Sequence, residues 1–357
     1  AIIFSNGDND TFPLWYNLEV EGNRTDVRVC NLSYLQTDWY IDQMKREAYH
    51  SESLPISWEP SDYVSGKNEV ISVREIEKKP IDVETAFKIA LDPEIQIDGE
   101  NVIPSKQLYI NINRDDVLKS GTLDSSRINE VVPRIMFNIK NSRLTKSELM
   151  VIEMLKENKW KRPVYFAVTV GDDYYLGLND HFELTGMAYR VMPVSTNGKG
   201  AAVDTDKMYD NMMNKFRWGN IADPNVYLDE NVLRMCRTHR MMFAQLIGAL
   251  INENDTVRAK KALDYAMKVI PPTTVRHDYT SAMLAEYYYA LGEMNKGNEI
   301  MNFIANDCVE NIDWYFRLSK AQRNSVERRI GHNFGVLNHV LQTAEKYKQQ
   351  SIVTKYY

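Results

Sequence analysis

The sequence predicts an α/β domain with a mostly parallel sheet, followed by an all-α domain of helical hairpins. Three observations carry this. Short apolar runs closed by Asn, Gly and Asp alternate with helix-like segments through the first half. After the polar, small-residue stretch "STNGKGAAVDTD" the apolar spacing becomes wholly helical. The 357 residues suit two domains at about 150 residues each, placed at 1–195 and 196–357.

Along the chain, Ile2-Ile3-Phe4 reads as a strand closed by Asn6-Gly7, and a helix is expected from near Thr11, with Pro13 in its first turn, to Gly22. "RVCNL" (28–32) gives a second strand, and a second helix, "TDWYIDQMKREAYH", starts at Thr37. This strand–helix–strand–helix order implies a parallel, Rossmann-like unit. Residues 51–105 read as loop and irregular strand ending in the short helix "PIDVETAFKIAL". "QLYINI" (107–112) and "RIMFNI" (134–139) are strands. A Thr145/Glu148 capping box opens "TKSELMVIEMLKENK", which leads into the strand "RPVYFAVTV"; "AYRVMPV" (188–194) reads as the last strand. Beyond it, "NVLRMCRTHRMMFAQLIGALINEND", "TVRAKKALDYAMKVIPP", "DYTSAMLAEYYYALGEMNKG" and "NEIMNFIANDC" alternate with Gly, Pro and Asn breaks. Such helix pairs, near a thirty-odd-residue period, are similar to tetratricopeptide repeats.

A net charge of −6 with 26% charged residues argues against a nucleic-acid partner, which needs a concentrated basic surface. No stretch is long and apolar enough to span a bilayer, and none reads as a signal peptide. Because Ala1 opens directly on a strand, the chain is expected to be an excised piece of a longer polypeptide. The three cysteines (Cys30, Cys236, Cys308) lie far apart with no zinc-ligand spacing and read as small buried side chains.

The sharpest recurring pattern is a strand that runs into acids: "IIFSNGDND", "YININRDD" and "YFAVTVGDD". In one parallel sheet, all three turns would fall on the carboxyl edge, where α/β proteins bind ligands. Asp8, Asp10, Asp115, Asp116, Asp172 and Asp173 would then converge to hold a hard cation such as calcium or to accept hydrogen bonds from sugar hydroxyls. The same residues also suit turns and helix caps, with no cofactor at all. Aromatics sit beside these turns: Trp15, Tyr16, Trp39, Tyr40, Tyr174 and Tyr175. Their faces suit carbohydrate C–H surfaces or the core, and Trp15 and Trp39 are the pair to test. No phosphate-binding glycine motif or nucleophile elbow is present, and the six histidines are scattered. His332 and His339 share a helix face without a third ligand. Arg234, Arg237, His239 and Arg240 form a basic stripe that either holds an anion or is solvated and salt-bridged.

Two long strings, "NGDNDTFPLWYNLEVEGNRTDVRVCNLSYLQTDWYIDQMKR" and "FRWGNIADPNVYLDENVLRM", resemble the C-terminal region of the DUF2723 family of Bacteroidetes membrane proteins. That family is similar to GT-C, protein O-mannosyltransferase-like enzymes, whose catalytic acid lies in the membrane portion. The resemblance implies an accessory domain at the periplasmic face of the inner membrane. It would be tethered to the membrane-embedded part of the same polypeptide, recognise acceptor protein or glycan, and carry no catalytic residue. Two other readings stand beside it: a metal-dependent hydrolase using the Asp-rich turns, and a structural or oligomerisation scaffold.

Overall fold

Strand β1 (Ile2–Ser5) has a parallel neighbour on each side, and this burial explains its continuous apolar run: Ile2 and Phe4 are fully inaccessible. The computed structural model describes residues 1–357 and divides into two units, Ala1–Asp204 and Thr205–Tyr357. In the first, β1 leads through Gly7, at φ 83°, into α1 (Asp8–Glu19). The helix begins before Thr11 because the Gly7 carbonyl accepts both the Thr11 amide, at 3.2 Å, and its hydroxyl, at 2.8 Å. Pro13 therefore lies inside the helix. Next come β2 (Arg28–Asn31) and α2 (Asp38–Met44). A buried hydroxyl network ties β1, α1 and β2 together: Ser5 and Thr11 Oγ atoms lie 2.8 Å apart, and Asn31 Nδ2 donates to Thr11 Oγ1 at 2.7 Å. The second helix is shorter than its sequence suggests, because the Leu54 amide takes the Met44 carbonyl at 2.9 Å.

The middle of this unit runs through α3 (Pro60–Tyr63), β3 (Val70–Val73), β4 (Ile81–Asp82), α4 (Val83–Leu91) and β5 (Val102–Ile103). After it come β6 (Gln107–Asn111), α5 (Arg114–Ser120), β7 (Arg134–Asn138) and β8 (Arg143–Thr145). Helix α6 (Lys146–Asn158) opens on the expected Thr145/Glu148 capping box and is buried on nearly every side. Its fully buried cation is satisfied within the unit: Lys146 Nζ donates to the Tyr63 carbonyl and to Glu69 Oε1, both at 2.8 Å. Strands β9 (Val164–Ala167), β10 (Phe182–Leu184), β11 (Ala188–Val191) and β12 (Ala202–Val203) complete the unit.

This half is mixed α/β, but the strands form three sheets instead of one. The largest has the order β12-β10-β11-β9-β1-β2; β2, β1 and β9 are parallel, and β11 runs antiparallel to both β9 and β10. The others, β5-β3-β8 and β4-β6-β7, each combine a parallel and an antiparallel pair. The first unit ends at Asp204 and not at 195 because β12 pairs with β10.

The second unit is helical: α7 (Thr205–Asp210), α8 (Glu230–Asn252), α9 (Thr256–Val269), α10 (Tyr279–Ala290) and α11 (Met294–Phe316), then α12 (Lys320–Ser325), α13 (Glu327–Lys346) and α14 (Gln350–Tyr356). Helix α8 packs on α9, α10 on α11, and α11 on α13. Gly297 allows the closest approach, since a Cβ there would run into the Tyr289 ring and lie 3.0 Å from the Ala285 carbonyl. Lengths of 23, 14, 12 and 23 residues for α8 to α11 give paired helices without a fixed repeat.

Candidate functional site

The three acidic turns do not gather into one site. Asp8 and Asp10 occupy the first turn of α1, and Asp172 and Asp173 a 3₁₀ turn after β9. Those two turns share a sheet edge because β1 and β9 are parallel neighbours. Asp115 and Asp116 follow β6, which belongs to another sheet. Asp116 borders a cavity of about 280 Å³, whereas Asp172 and Asp173 border a separate one of about 120 Å³. No three His, Cys, Asp or Glu side chains come close enough to hold a metal ion. At helix starts these carboxylates complement the positive end of the peptide dipoles.

The aromatic candidates do come together. Trp15 on α1 stacks on Tyr34, in the 3₁₀ turn Tyr34–Gln36, with ring centroids 5.9 Å apart and planes at 15°. Tyr34 in turn meets Trp39 at 6.0 Å and Tyr40 at 5.8 Å. These four rings line a cleft of about 620 Å³ between α1, β2 and α2. Tyr40 is structural: it is buried, its oxygen accepts the Asn31 amide at 2.9 Å, and burial pushes its pKa up. Trp39 is 55% exposed and offers its ring to solvent. Tyr34 was missed in the sequence, although it lies five residues before Trp39 in "SYLQTDWY". Tyr174 and Tyr175 lie elsewhere, and Tyr175 packs in the core against Phe166 and Phe182.

One charged group is buried in the wall of this cleft. Arg28, the first residue of β2, is 6% exposed. Its Nη2 donates to the Gln43 carbonyl at 2.7 Å, while Nη1 has no hydrogen-bond partner. Burial lowers its pKa, but a guanidinium stays protonated. The other ionised lining residues, Glu19, Arg46 and Glu47, are exposed at the rim, and Glu19 accepts a hydrogen bond from Tyr49.

The cavity beside Asp116 is lined by apolar Ile110, Ile135 and Val164 together with Lys156 and Trp160. Lys156 already pairs with Glu153 and Glu157, at 3.0 and 3.1 Å. In the helical unit the basic stripe is salt-bridged and partly buried. Arg240 donates to main-chain carbonyls, Arg237 pairs with Asp278 at 3.3 Å, and His239 Nδ1 lies 2.7 Å from the Met235 carbonyl. His332 is exposed, whereas His339 packs on Tyr279. All three cysteines are free and buried.

Fold and cleft together define a mixed α/β domain carrying an aromatic-lined cleft, joined to a helical unit. Residues 1–209 match the family model of TMEM260-associated domain 2, and the chain belongs to that family. This corrects the resemblance to DUF2723. The matched family is a different one, and the GT-C and Bacteroidetes assignments fall with the resemblance. Of the two strings that suggested it, the second begins at Phe216, outside the matched segment. Comparison with curated proteins gives no match, nor does comparison with solved structures. No helix is long and apolar enough to cross a membrane.

Proposed function

We propose that the chain is an extracytoplasmic accessory domain that binds glycan through the aromatic cleft and carries out no chemistry itself. The observation behind this is the run of rings from Trp15 through Tyr34 to Trp39 beside a cleft of about 620 Å³. Flat apolar faces flanked by hydrogen-bonding groups suit a sugar ring, which has C–H faces and hydroxyl edges. The β1–α1–β2 unit with β9 is Rossmann-like in its parallel order. The helix pairs α8–α9 and α10–α11, tetratricopeptide-like in connectivity, would supply a contact surface for acceptor protein. A family description that names an association supports an accessory role, and the partner in this reading is the membrane-embedded part of the same polypeptide.

Calorimetric titration with neutral oligosaccharides tests the site. Saturable binding is expected, weakened roughly tenfold in Trp39→Ala and in Trp15→Ala. Asp8→Asn lies outside the cleft and serves as the control; a loss there would move the site to the acidic sheet edge. Equal binding in all three variants, or preference for a peptide over every glycan, would count against the proposal.

A further inference from the structure

We infer that the cleft takes an acidic sugar, a ring carrying an oxyanion, and that Arg28 is the residue that selects it. The inference rests on the carbohydrate reading of the cleft and adds the class of ligand. A buried guanidinium N–H without an acceptor carries the desolvation penalty of that group with nothing to offset it. An apolar side chain of similar reach, such as methionine, would serve the fold at least as well. Arg28 is 94% buried, lines the cleft, and leaves Nη1 without an acceptor.

Nothing nearby is placed to take that donor. The Tyr40 hydroxyl is engaged with the Asn31 amide and the Val29 carbonyl. Glu19 and Glu47 stand exposed at the rim, where Glu19 is held by Tyr49. The four ionised lining side chains, Arg28 and Arg46 against Glu19 and Glu47, sum to zero formal charge. Position breaks the tie: solvent and salt screen the three exposed groups, whereas the field of buried Arg28 is screened far less. An oxyanion on Nη1 would supply the missing acceptor through a charge-assisted hydrogen bond. A carboxylate or phosphate attached to a sugar lies only a bond or two from the ring. One ligand could thus rest its face on Trp15 or Trp39 and reach Arg28 with its charge.

Titrating the whole chain with trigalacturonate, mannose 6-phosphate and the neutral sugar galactotriose separates the outcomes. The acidic trisaccharide should bind roughly tenfold more tightly than galactotriose. Arg28→Met should bring the two affinities together, while Arg24→Gln, an exposed arginine outside the cleft, keeps them apart. Preference for the sugar phosphate with the same dependence on Arg28 supports the inference and assigns the oxyanion to phosphate. Equal affinities in the wild type, or a preference that survives Arg28→Met, overturn it and leave the sugar site standing. No binding of any of these sugars, neutral or acidic, removes the carbohydrate reading and this inference with it. Should Arg28→Met not fold, the Arg28 guanidinium ¹⁵N resonances decide: they should move on adding trigalacturonate and not galactotriose, and the converse overturns the inference.

Discussion

Arg28 and Arg240 are both buried arginines, and they are used in opposite ways. Arg240, on α8, is 1% exposed, and its guanidinium is ringed by acceptors. Nη2 donates to the Val275 carbonyl at 2.7 Å and the Ile270 carbonyl at 3.4 Å; Nη1 donates to the Arg276 carbonyl at 3.1 Å and faces Asp278 Oδ1 at 3.5 Å. It holds the α9–α10 connection to α8. Arg28 is almost as buried, yet makes one side-chain hydrogen bond and leaves a buried Nη1 without an acceptor in the wall of a cleft. A cation whose donors are all answered by the fold is a fastening. One left unanswered beside an open site is set toward something outside the chain. The difference is one of satisfaction and not of burial.

The largest test of this contrast is Arg240→Met. Removing the cation leaves two buried carbonyls, the partly buried Arg276 carbonyl and Asp278 without their donor, which should destabilise the helical unit by about 3–5 kcal/mol. Chemical denaturation followed by far-ultraviolet circular dichroism would measure it, and a loss below about 1 kcal/mol would break the contrast from the Arg240 side. Arg28→Met should change stability by less than about 1 kcal/mol, or raise it. It removes an unsatisfied buried charge and frees only the carbonyl of solvent-exposed Gln43. A large destabilisation there would make Arg28 a second fastening. Trp39→Ala should be milder still for the fold, because that ring is 55% exposed.

Much of the first unit was legible because its signals are local. The apolar run at Ile2, the Thr145/Glu148 box and the strand from Gln107 each depend on neighbours within one turn or one strand. Division of the strands into three sheets was not legible, since β3 pairs with β8 from Val70 to Thr145 across a long stretch of sequence. That division is what takes Asp115 and Asp116 away from the other acids. Trp15, Trp39 and Tyr40 were picked from the sequence as neighbours of turns, yet what joins them is Tyr34, which the sequence shows only as one more aromatic. Arg28 gave no signal at all. An arginine at the start of a strand reads as a surface charge, and only the packing around β2 reveals its burial.

His277 carries the comparison into pH. It lies beside Arg240, half-buried, with its ring edge-on to Phe303 at 5.3 Å and no partner for Nδ1. Burial first, and the Arg240 charge second, pull its pKa from 6.5 down to about 4, with Asp278 opposing. Above pH 6.5 the ring is neutral in both folded and unfolded chains, and the helical unit has its full stability. As pH falls, the unfolded chain takes up a proton that the folded one refuses until about 4. Stability is therefore lost between those values and levels off below them with respect to this group. The wild-type denaturation midpoint should fall across that window, and His277→Gln should remove this part of the slope; parallel profiles would rule it out. If the Arg240 cation is the second cause, an NMR titration of Arg240→Met should place the His277 midpoint higher than in the wild type, provided the helical unit still folds. The same experiment in Arg28→Met should leave it where it was.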